Sequence, residues 1–360
     1  MKILFCGTMV PEETEYKVKD ISAAGNRFQN NMIRNLERAG YRVVSCSFLG
    51  MRIPADIKRH LKGNYIFRDN GLLKGIWEYH RLLKRTMSDT EIVMCYNIAY
   101  AWLMLPFMTK RQGTWSIVIV ADYSESISYR SISGKLYARF QLWSMRRFDT
   151  VIGLSENIKD KLRKRQKFVL MEGGIDEKLY DAFVYRAHKE SKPRTFMYSG
   201  LLNHVTGINL LLEAMRGIER QDIRLLISGK GELEKEVIKA AGEDDRICYL
   251  GHLPYEEYIK RLQEADVLVN PRDMRLPENQ NNFPSKVMDY LAAGKVIIST
   301  KFAGWERFKE NIIFCESSVE GIKEGLEDVQ KHLRNAEEVY GKNRKKAAEF
   351  VWKKQIEKIF

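Results

Sequence analysis

The segment 270–300, NPRDMRLPENQNNFPSKVMDYLAAGKVIIST, has residue types and spacing suited to chemistry on an anionic ligand. An apolar run ends at Asn270, a polar loop follows, and the pattern predicts a helix starting near Ser285, after Pro284. Free N–H groups and the dipole at such a helix start favour a phosphate. Lys286 in the first turn runs against the dipole preference yet adds a positive charge where an anion would lie. The other reading is an ordinary helix start with Ser285 as its cap. Arg272 directly follows Asn270-Pro271, where a guanidinium can point outward and grip a phosphate with two N–H groups; Arg275 is a second candidate. Asp122 stands just past the apolar run 116–120, and Glu172 opens a Glu-Gly-Gly-Ile stretch. Lone histidines His204 and His252 also follow strand-like runs.

These groups need strand ends to position them, and the sequence supplies a repeating apolar run, turn and amphipathic helix. Strands are expected at 3–6, 42–48, 92–96, 116–120 and 150–154, with a helix at 27–39. Residues 180–194 lack strong periodicity and read as a linker. A second series follows, with strands at 195–198, 223–228, 247–250, 267–270 and 296–299. Helices are expected at 208–215, 255–265 and 285–293, and a long terminal helix at 336–360. The fold class is therefore α/β: two Rossmann-like doubly wound domains, at 1–180 and 195–340. In such sheets a ligand sits off the carboxyl ends of the strands, and with two facing units the cleft between them is the expected site.

The chain carries a net charge of +13, with 44% hydrophobic residues and eight prolines, a composition that excludes a disordered or proline-rich linker protein. The charge is uneven. Residues 1–180 hold thirty Lys and Arg against eighteen Asp and Glu, whereas 181–360 hold thirty against twenty-nine. Basic runs at 58–59, 84–85, 146–147 and 161–167 lie among Trp77, Tyr79, Trp143 and Phe148, a mixture that suits a membrane surface or a nucleic acid as well as plain solvated helix faces. No signal peptide is expected, because the apolar start at 3–6 is too short for a signal core. The apolar stretch 92–108 contains Asn97 and Pro106 and falls short of the roughly 20 apolar residues that a membrane span needs. Five scattered cysteines, without a Cys-x-x-Cys pair, indicate a reducing cytoplasm.

Residues 195–300 resemble the C-terminal domain of the GT-B glycosyltransferases, specifically the large retaining family 4 (glycosyl transferases group 1). The resemblance runs through Tyr198-Ser199-Gly200, GINLLLEA at 207–214, Ile227-Ser228-Gly229-Lys230-Gly231, Leu250-Gly251-His252-Leu253, ADVLVNP at 265–271, and FPSK at 283–286 through YLAAG at 290–294. Ala23-Ala24-Gly25-Asn26-Arg27-Phe28-Gln29 and Phe350-Val351-Trp352 extend it more loosely, the latter resembling a helix at 341–360 that crosses back to the first domain.

The resemblance implies a first domain for the acceptor and a second for a nucleotide-diphosphate sugar donor. It places Asp289 at the donor ribose and Asn281 facing the donor sugar. Asn282, Phe283, Pro284, Ser285, Lys286 and Gly200 line the donor site, His252 lies near the base, and Gly25 sits in a loop closing over the phosphates. Asp122 and Glu172 would meet sugar or acceptor hydroxyls. Three departures stand out. Asn281 and Asp289 replace the two glutamates of the family signature while keeping their spacing, which puts the sugar's identity in question more than the reaction. Leu201 and Thr206 occupy the positions of the family's phosphate-binding Arg and Lys, so the diphosphate needs Lys286 and Arg272 instead. Ala121-Asp122-Tyr123 stands where a His is usual. The chain has no Asp-x-Asp pair, which agrees with a donor site that needs neither metal nor cofactor.

The expected function is a retaining transfer to a hydroxyl of a glycan or polyprenyl-diphosphate-linked acceptor, in surface polysaccharide synthesis. The chain would work in the cytoplasm, with an anionic membrane face as a partner and no nucleic acid. A nucleotide-sugar epimerase of the same fold, or a noncatalytic nucleotide-sugar-binding subunit, are the alternatives.

Overall fold

The computed structural model describes residues 1–18, 21–50, 53–68, 71–99, 102–123, 125–126, 129, 131–185 and 194–360. Residues 186–193 of the expected linker lie outside the described residues, and residues 180–182 at the linker's start belong to a helix, Glu177–Ala182. The chain divides into two compact units, Met1–Gly174 with Trp352–Phe360, and Ile175–Val351.

In the first unit, β1 (Lys2–Gly7), β2 (Arg42–Leu49), β3 (Asn64–Phe67), β4 (Ile92–Tyr96), β5 (Trp115–Val120), β6 (Thr150–Gly153) and β7 (Lys167–Leu170) form a sheet in the order β3-β2-β1-β4-β5-β6-β7. All neighbours are parallel. The central strands are apolar on both faces, as a sheet covered on both sides requires. Cys46, Cys6 and Cys95 stand in register across three adjacent strands and are all buried. The helices are α1 (Ala23–Arg38), α2 (Ala55–His60), α3 (Leu72–Thr86), α4 (Leu105–Gln112) and α5 (Ile132–Met145). Tyr79 and Leu83 of α3, Leu105 of α4, Met145 of α5 and Phe148 share one core with Val93 and Val118 of the sheet. Tyr79 and Phe148 are therefore core residues, not members of a basic aromatic surface.

The second unit has β8 (Arg194–Ser199), β9 (Ile223–Ser228), β10 (Ile247–Tyr249), β11 (Val267–Asn270), β12 (Val296–Thr300) and β13 (Ile313–Cys315), in the order β10-β9-β8-β11-β12-β13 and again parallel. Its helices are α6 (Glu177–Ala182), α7 (Ile208–Arg216), α8 (Glu234–Glu243), α9 (Tyr255–Glu264), α10 (Lys286–Ala293), α11 (Val319–Glu327), α12 (Gln330–Arg334) and α13 (Ala336–Ala347). In α7 and α10 most residues are buried, so these short helices are held by packing rather than by intrinsic propensity.

The terminal helix expected at 336–360 is two helices, α13 and α14 (Trp352–Glu357). The break has a partner: the Ile175 N–H donates to the Phe350 carbonyl at 2.8 Å, and Ile175 bridges Val351. Beyond it, α14 packs in the first unit, with the Trp352 ring 5.2 Å from Phe28 of α1. A Cβ on Gly174 would collide with that indole.

Candidate functional site

Strand order reverses between β8 and β11 in the second unit, and the chain leaves these strands in opposite directions there. Such a reversal opens a crevice at the carboxyl ends of the two strands. Gly200 follows β8. Its φ of 151° is one that L side chains rarely adopt, and a Cβ there would lie 2.9 Å from Lys286 Nζ. Glycine therefore leaves room for the lysine. Across the turn, a Cβ on Gly229 would strike the Gly200 carbonyl oxygen, so the ends of β8 and β9 meet backbone to backbone.

Lys286 lies in the first turn of α10 with Nζ 4.1 Å from the centre of the Tyr198 ring. Burial, with Arg272 as a second positive neighbour, pushes its ammonium down to about 7. Ser285 does not cap this helix. It already has helical φ and ψ, its side chain makes no capping hydrogen bond, and Val287 N–H reaches back to the Pro284 carbonyl at 2.9 Å. The alternative reading of Ser285 as the helix cap therefore fails: a tight turn at Pro284 starts the helix, and Ser285 is exposed.

Arg272 follows β11. Thr300 Oγ1 and Ser317 Oγ donate to its carbonyl at 2.7 and 3.2 Å, and its guanidinium donates to the Asn282 carbonyl at 3.4 Å. The loop around it is tied by Asn279, fully buried, whose amide donates to the Val205 and Asp273 carbonyls, both at 2.7 Å. Asn282 donates in turn to the Glu278 carbonyl at 2.8 Å. Arg275 is held differently. Both carboxylate oxygens of Asp273 accept from it at 2.8 Å, and this pairing keeps the Asp273 carboxyl below its usual range. Arg275 is the charge that balances Asp273, whereas Arg272 lies close enough to Lys286 and Tyr198 to act on both electrostatically.

Asn281 is buried, Pro284 is buried, and Phe283 packs edge-on against Phe302 at 5.1 Å and at a tilt against Phe308 at 5.8 Å. These residues anchor the loop that delivers α10. Asp289, one turn further along α10, accepts a hydrogen bond from Tyr258 of α9 at 2.9 Å. The positions of the family's missing cations are structural here: Leu201 and Asn203 carbonyls accept from Thr206 Oγ1 at 2.7 and 3.0 Å, closing the loop after β8. His252 stands exposed after Gly251, beyond β10 and at the far side of β9 from Lys286.

In the first unit the reversal falls between β1 and β4. Gly25 is not in a loop. Ser22 Oγ accepts from the Gly25 N–H at 3.1 Å, so α1 begins at Ala23, earlier than the expected start at 27, and Gly25 belongs to its first turn. Gln29 of the same helix accepts from the Thr8 N–H and donates to the Gly25 carbonyl, both at 3.0 Å. Asn26 accepts from Val10 N–H at 2.9 Å, fixing the loop after β1. Asp122 is placed by Asn97, whose carboxamide oxygen accepts from the Ala121 and Asp122 N–H groups at 2.8 and 3.0 Å. Asn97 itself sits at φ 54°. Burial, and then the Asp122 charge, push the Tyr96 hydroxyl well above its ordinary value. Glu172 is buried just past the edge strand β7, away from the β1/β4 reversal. Asn97 and Tyr258 are the positioning residues that sequence reasoning passed over. A non-glycine in the left-handed region, and a tyrosine on a helix that touches α10 only in three dimensions, leave no signal in the linear chain.

Residues 183–347 match the family model described as glycosyl transferases group 1. D-rhamnosyltransferase WbpZ of Pseudomonas aeruginosa is 23% identical over 271 residues, 71% of this chain and 68% of that protein. Amylovoran biosynthesis glycosyltransferase AmsK of Erwinia amylovora is 23% identical over 151 residues, 41% of this chain and 37% of that protein. Among solved structures, Anabaena HepE in complex with UDP has a TM-score of 0.72 at 13% identity, covering 100% of this chain and 98% of that one. The fold is GT-B, and the match to the group 1 glycosyltransferase model lies within its second unit.

Proposed function

We propose that this protein is a retaining glycosyltransferase that moves a sugar from a nucleotide-diphosphate sugar to a hydroxyl of a glycan or polyprenyl-diphosphate-linked acceptor. The observation that carries this reading is the pairing of Arg272 and Lys286 beside the unsubstituted Gly200 at the β8/β11 reversal. Two cations at the start of α10 suit the donor diphosphate. Asp289 takes the ribose hydroxyls, Asn281 the donor sugar, and the turn at His252 the base. HepE, solved in complex with UDP, supports a nucleotide donor, and the similarity to the D-rhamnosyltransferase WbpZ and to the amylovoran biosynthesis glycosyltransferase AmsK supports a role in polysaccharide assembly.

As the bond from the anomeric carbon to the diphosphate oxygen lengthens, negative charge builds on the phosphate. Arg272 and Lys286 stabilise that charge more than they stabilise the intact donor. The acceptor oxygen bonds to the same face of the anomeric carbon, and the departing phosphate oxygen takes its proton. The protein then contributes positioning and charge stabilisation and needs neither an enzyme nucleophile nor a divalent ion. Asp122 and Glu172 of the first unit bind acceptor or sugar hydroxyls, and an anionic membrane face at the cytoplasmic side presents a lipid-linked acceptor.

A thermal-shift screen of nucleotide-diphosphate sugars identifies the donor, because a bound donor raises apparent stability. Proton NMR of the product then reads the anomeric configuration. Retained configuration is expected, and inversion overturns the mechanism. Donor consumed without any acceptor would point to the epimerase reading, and donor bound but never consumed to a noncatalytic subunit.

A further inference from the structure

Helix α5 is apolar on two opposite faces. One face belongs to the first unit: Ala138, Ser144 and Met145 are buried, and Tyr137 and Gln141 donate to the Ile98 carbonyl at 2.9 and 2.6 Å. The opposite face carries Ile132, Leu136, Phe140 and Trp143, exposed by 79, 48, 53 and 37%. Their spacing gathers them within an arc of about 80° and a length of about 16 Å. An ordinary surface helix is polar there.

The charge around this stripe has one sign. Lys135, Arg139, Arg146 and Arg147 accompany it, and residues 131–148 contain no Asp or Glu. The Arg147 guanidinium lies 3.9 Å from the Trp143 ring centre, and Trp143 stacks on Phe107 of α4 at 5.1 Å. Helix α3, which shares its core with α5, adds Trp77 beneath the Arg81 guanidinium at 4.8 Å, with Lys84 and Arg85 in its last turn. Among the described residues no helix is long and apolar enough to cross a membrane, so this face concerns a surface.

We propose that the outer face of α5 seats on an anionic lipid bilayer, with the helix axis in the headgroup plane. Ile132, Leu136, Phe140 and Trp143 enter the acyl boundary, and the flanking lysine and arginines meet lipid phosphates. The one-signed charge selects this occupant. A second copy of the chain would bring basic residues against basic residues, which disfavours self-association. A nucleic acid would answer the charge but leave the aliphatic stripe without an apolar partner. The inference deepens the reading of a lipid-linked acceptor by naming the surface that meets the lipid, while the docking itself stands on exposure and charge whichever sugar is transferred.

The test is flotation of the full chain with vesicles of equimolar phosphatidylglycerol and phosphatidylcholine, against phosphatidylcholine alone. The full chain is expected to float with the anionic vesicles only and to be released by salt. Ile132→Asp with Phe140→Asp should lower partitioning by about tenfold or more, and Lys135→Gln with Arg139→Gln by about tenfold. Both variants should keep wild-type thermal unfolding and donor binding, which separates loss of docking from loss of fold or of the glycosyltransferase reading. Phe140→Leu should retain docking. Unchanged partitioning of the double aspartate variant overturns the proposal. So does a wild-type dimer in sedimentation that those aspartates turn into a monomer, or binding to DNA in preference to the vesicles.

Discussion

The two sheets reverse strand order at equivalent places, yet opposite chemistry stands at the two reversals. At β8/β11 the crevice holds the guanidinium of Arg272 and the ammonium of Lys286. At β1/β4 it holds the carboxamides of Asn26, Gln29 and Asn97 and the carboxylate of Asp122. Overall charge runs the other way: the half containing β1/β4 is strongly basic, and the half containing β8/β11 is nearly balanced. The charge of a domain and the charge of its crevice are thus set independently. Helix surfaces such as that of α5 create the long-range field, whereas two or three residues past the strand ends decide what the crevice binds.

The sharpest way to break this contrast is at the glycines. Gly200→Val places a β-branched side chain at φ 151° and into the space of Lys286 Nζ. It should cost about 2–4 kcal/mol in denaturant unfolding and abolish donor binding. Gly25→Ala in the other unit meets only the Tyr96 hydroxyl and Ser22 near 3.2–3.3 Å, in an ordinary helical turn, and should cost less than about 1 kcal/mol. Equal losses would show that the two reversals are built alike. Next, Arg272→Ala should weaken donor binding by about 2–3 kcal/mol, roughly a hundredfold, by calorimetry. An unchanged dissociation constant removes Arg272 from the donor site. The counterpart in the first unit is Asn97→Ala, which strips the Ala121 and Asp122 N–H groups of their acceptor and leaves alanine at φ 54°. It should cost about 1–3 kcal/mol of stability and leave donor affinity alone.

The smallest effect is on pH. Lys286 has its ammonium depressed to about 7, so its charge is lost as pH rises through neutrality. Donor affinity should decline several-fold above that pH and stay flat in Lys286→Arg, whose guanidinium remains charged. The same depression, from an ordinary 10.5, means that the unfolded chain holds more protons than the folded one between about 7 and 10.5. This residue's contribution to stability should therefore rise with pH across that window. A donor affinity that is level with pH in the native protein would mean that Lys286 does not touch the phosphate.

Much of this was legible from the linear chain. The doubly wound pattern shows in the central strands because parallel strands buried on both faces read as unbroken apolar runs. The strands not anticipated, β3, β7 and β13, are all sheet edges and only three or four residues long. Arg272 and Lys286 could be picked out because they stand next to a strand end and a helix start. The placement of Gly25 in a loop fails because Ser22 starts α1 four residues before the expected position, while α10 starts within one residue of its expected start. Tyr258 and Asn97 act across gaps of 31 and 24 residues, distances over which sequence spacing carries no information.

The first unit is interrupted in sequence, since Trp352–Phe360 returns to it after the whole of the second. A ribosome therefore delivers Gly174 and Phe28 long before the indole that covers them. The second unit is continuous, while the first completes its packing around Phe28 and Gly174 only with chain made after its neighbour. A nascent chain halted before residue 352 would leave the apolar seat of Trp352, formed by Phe28 and Gly174, exposed.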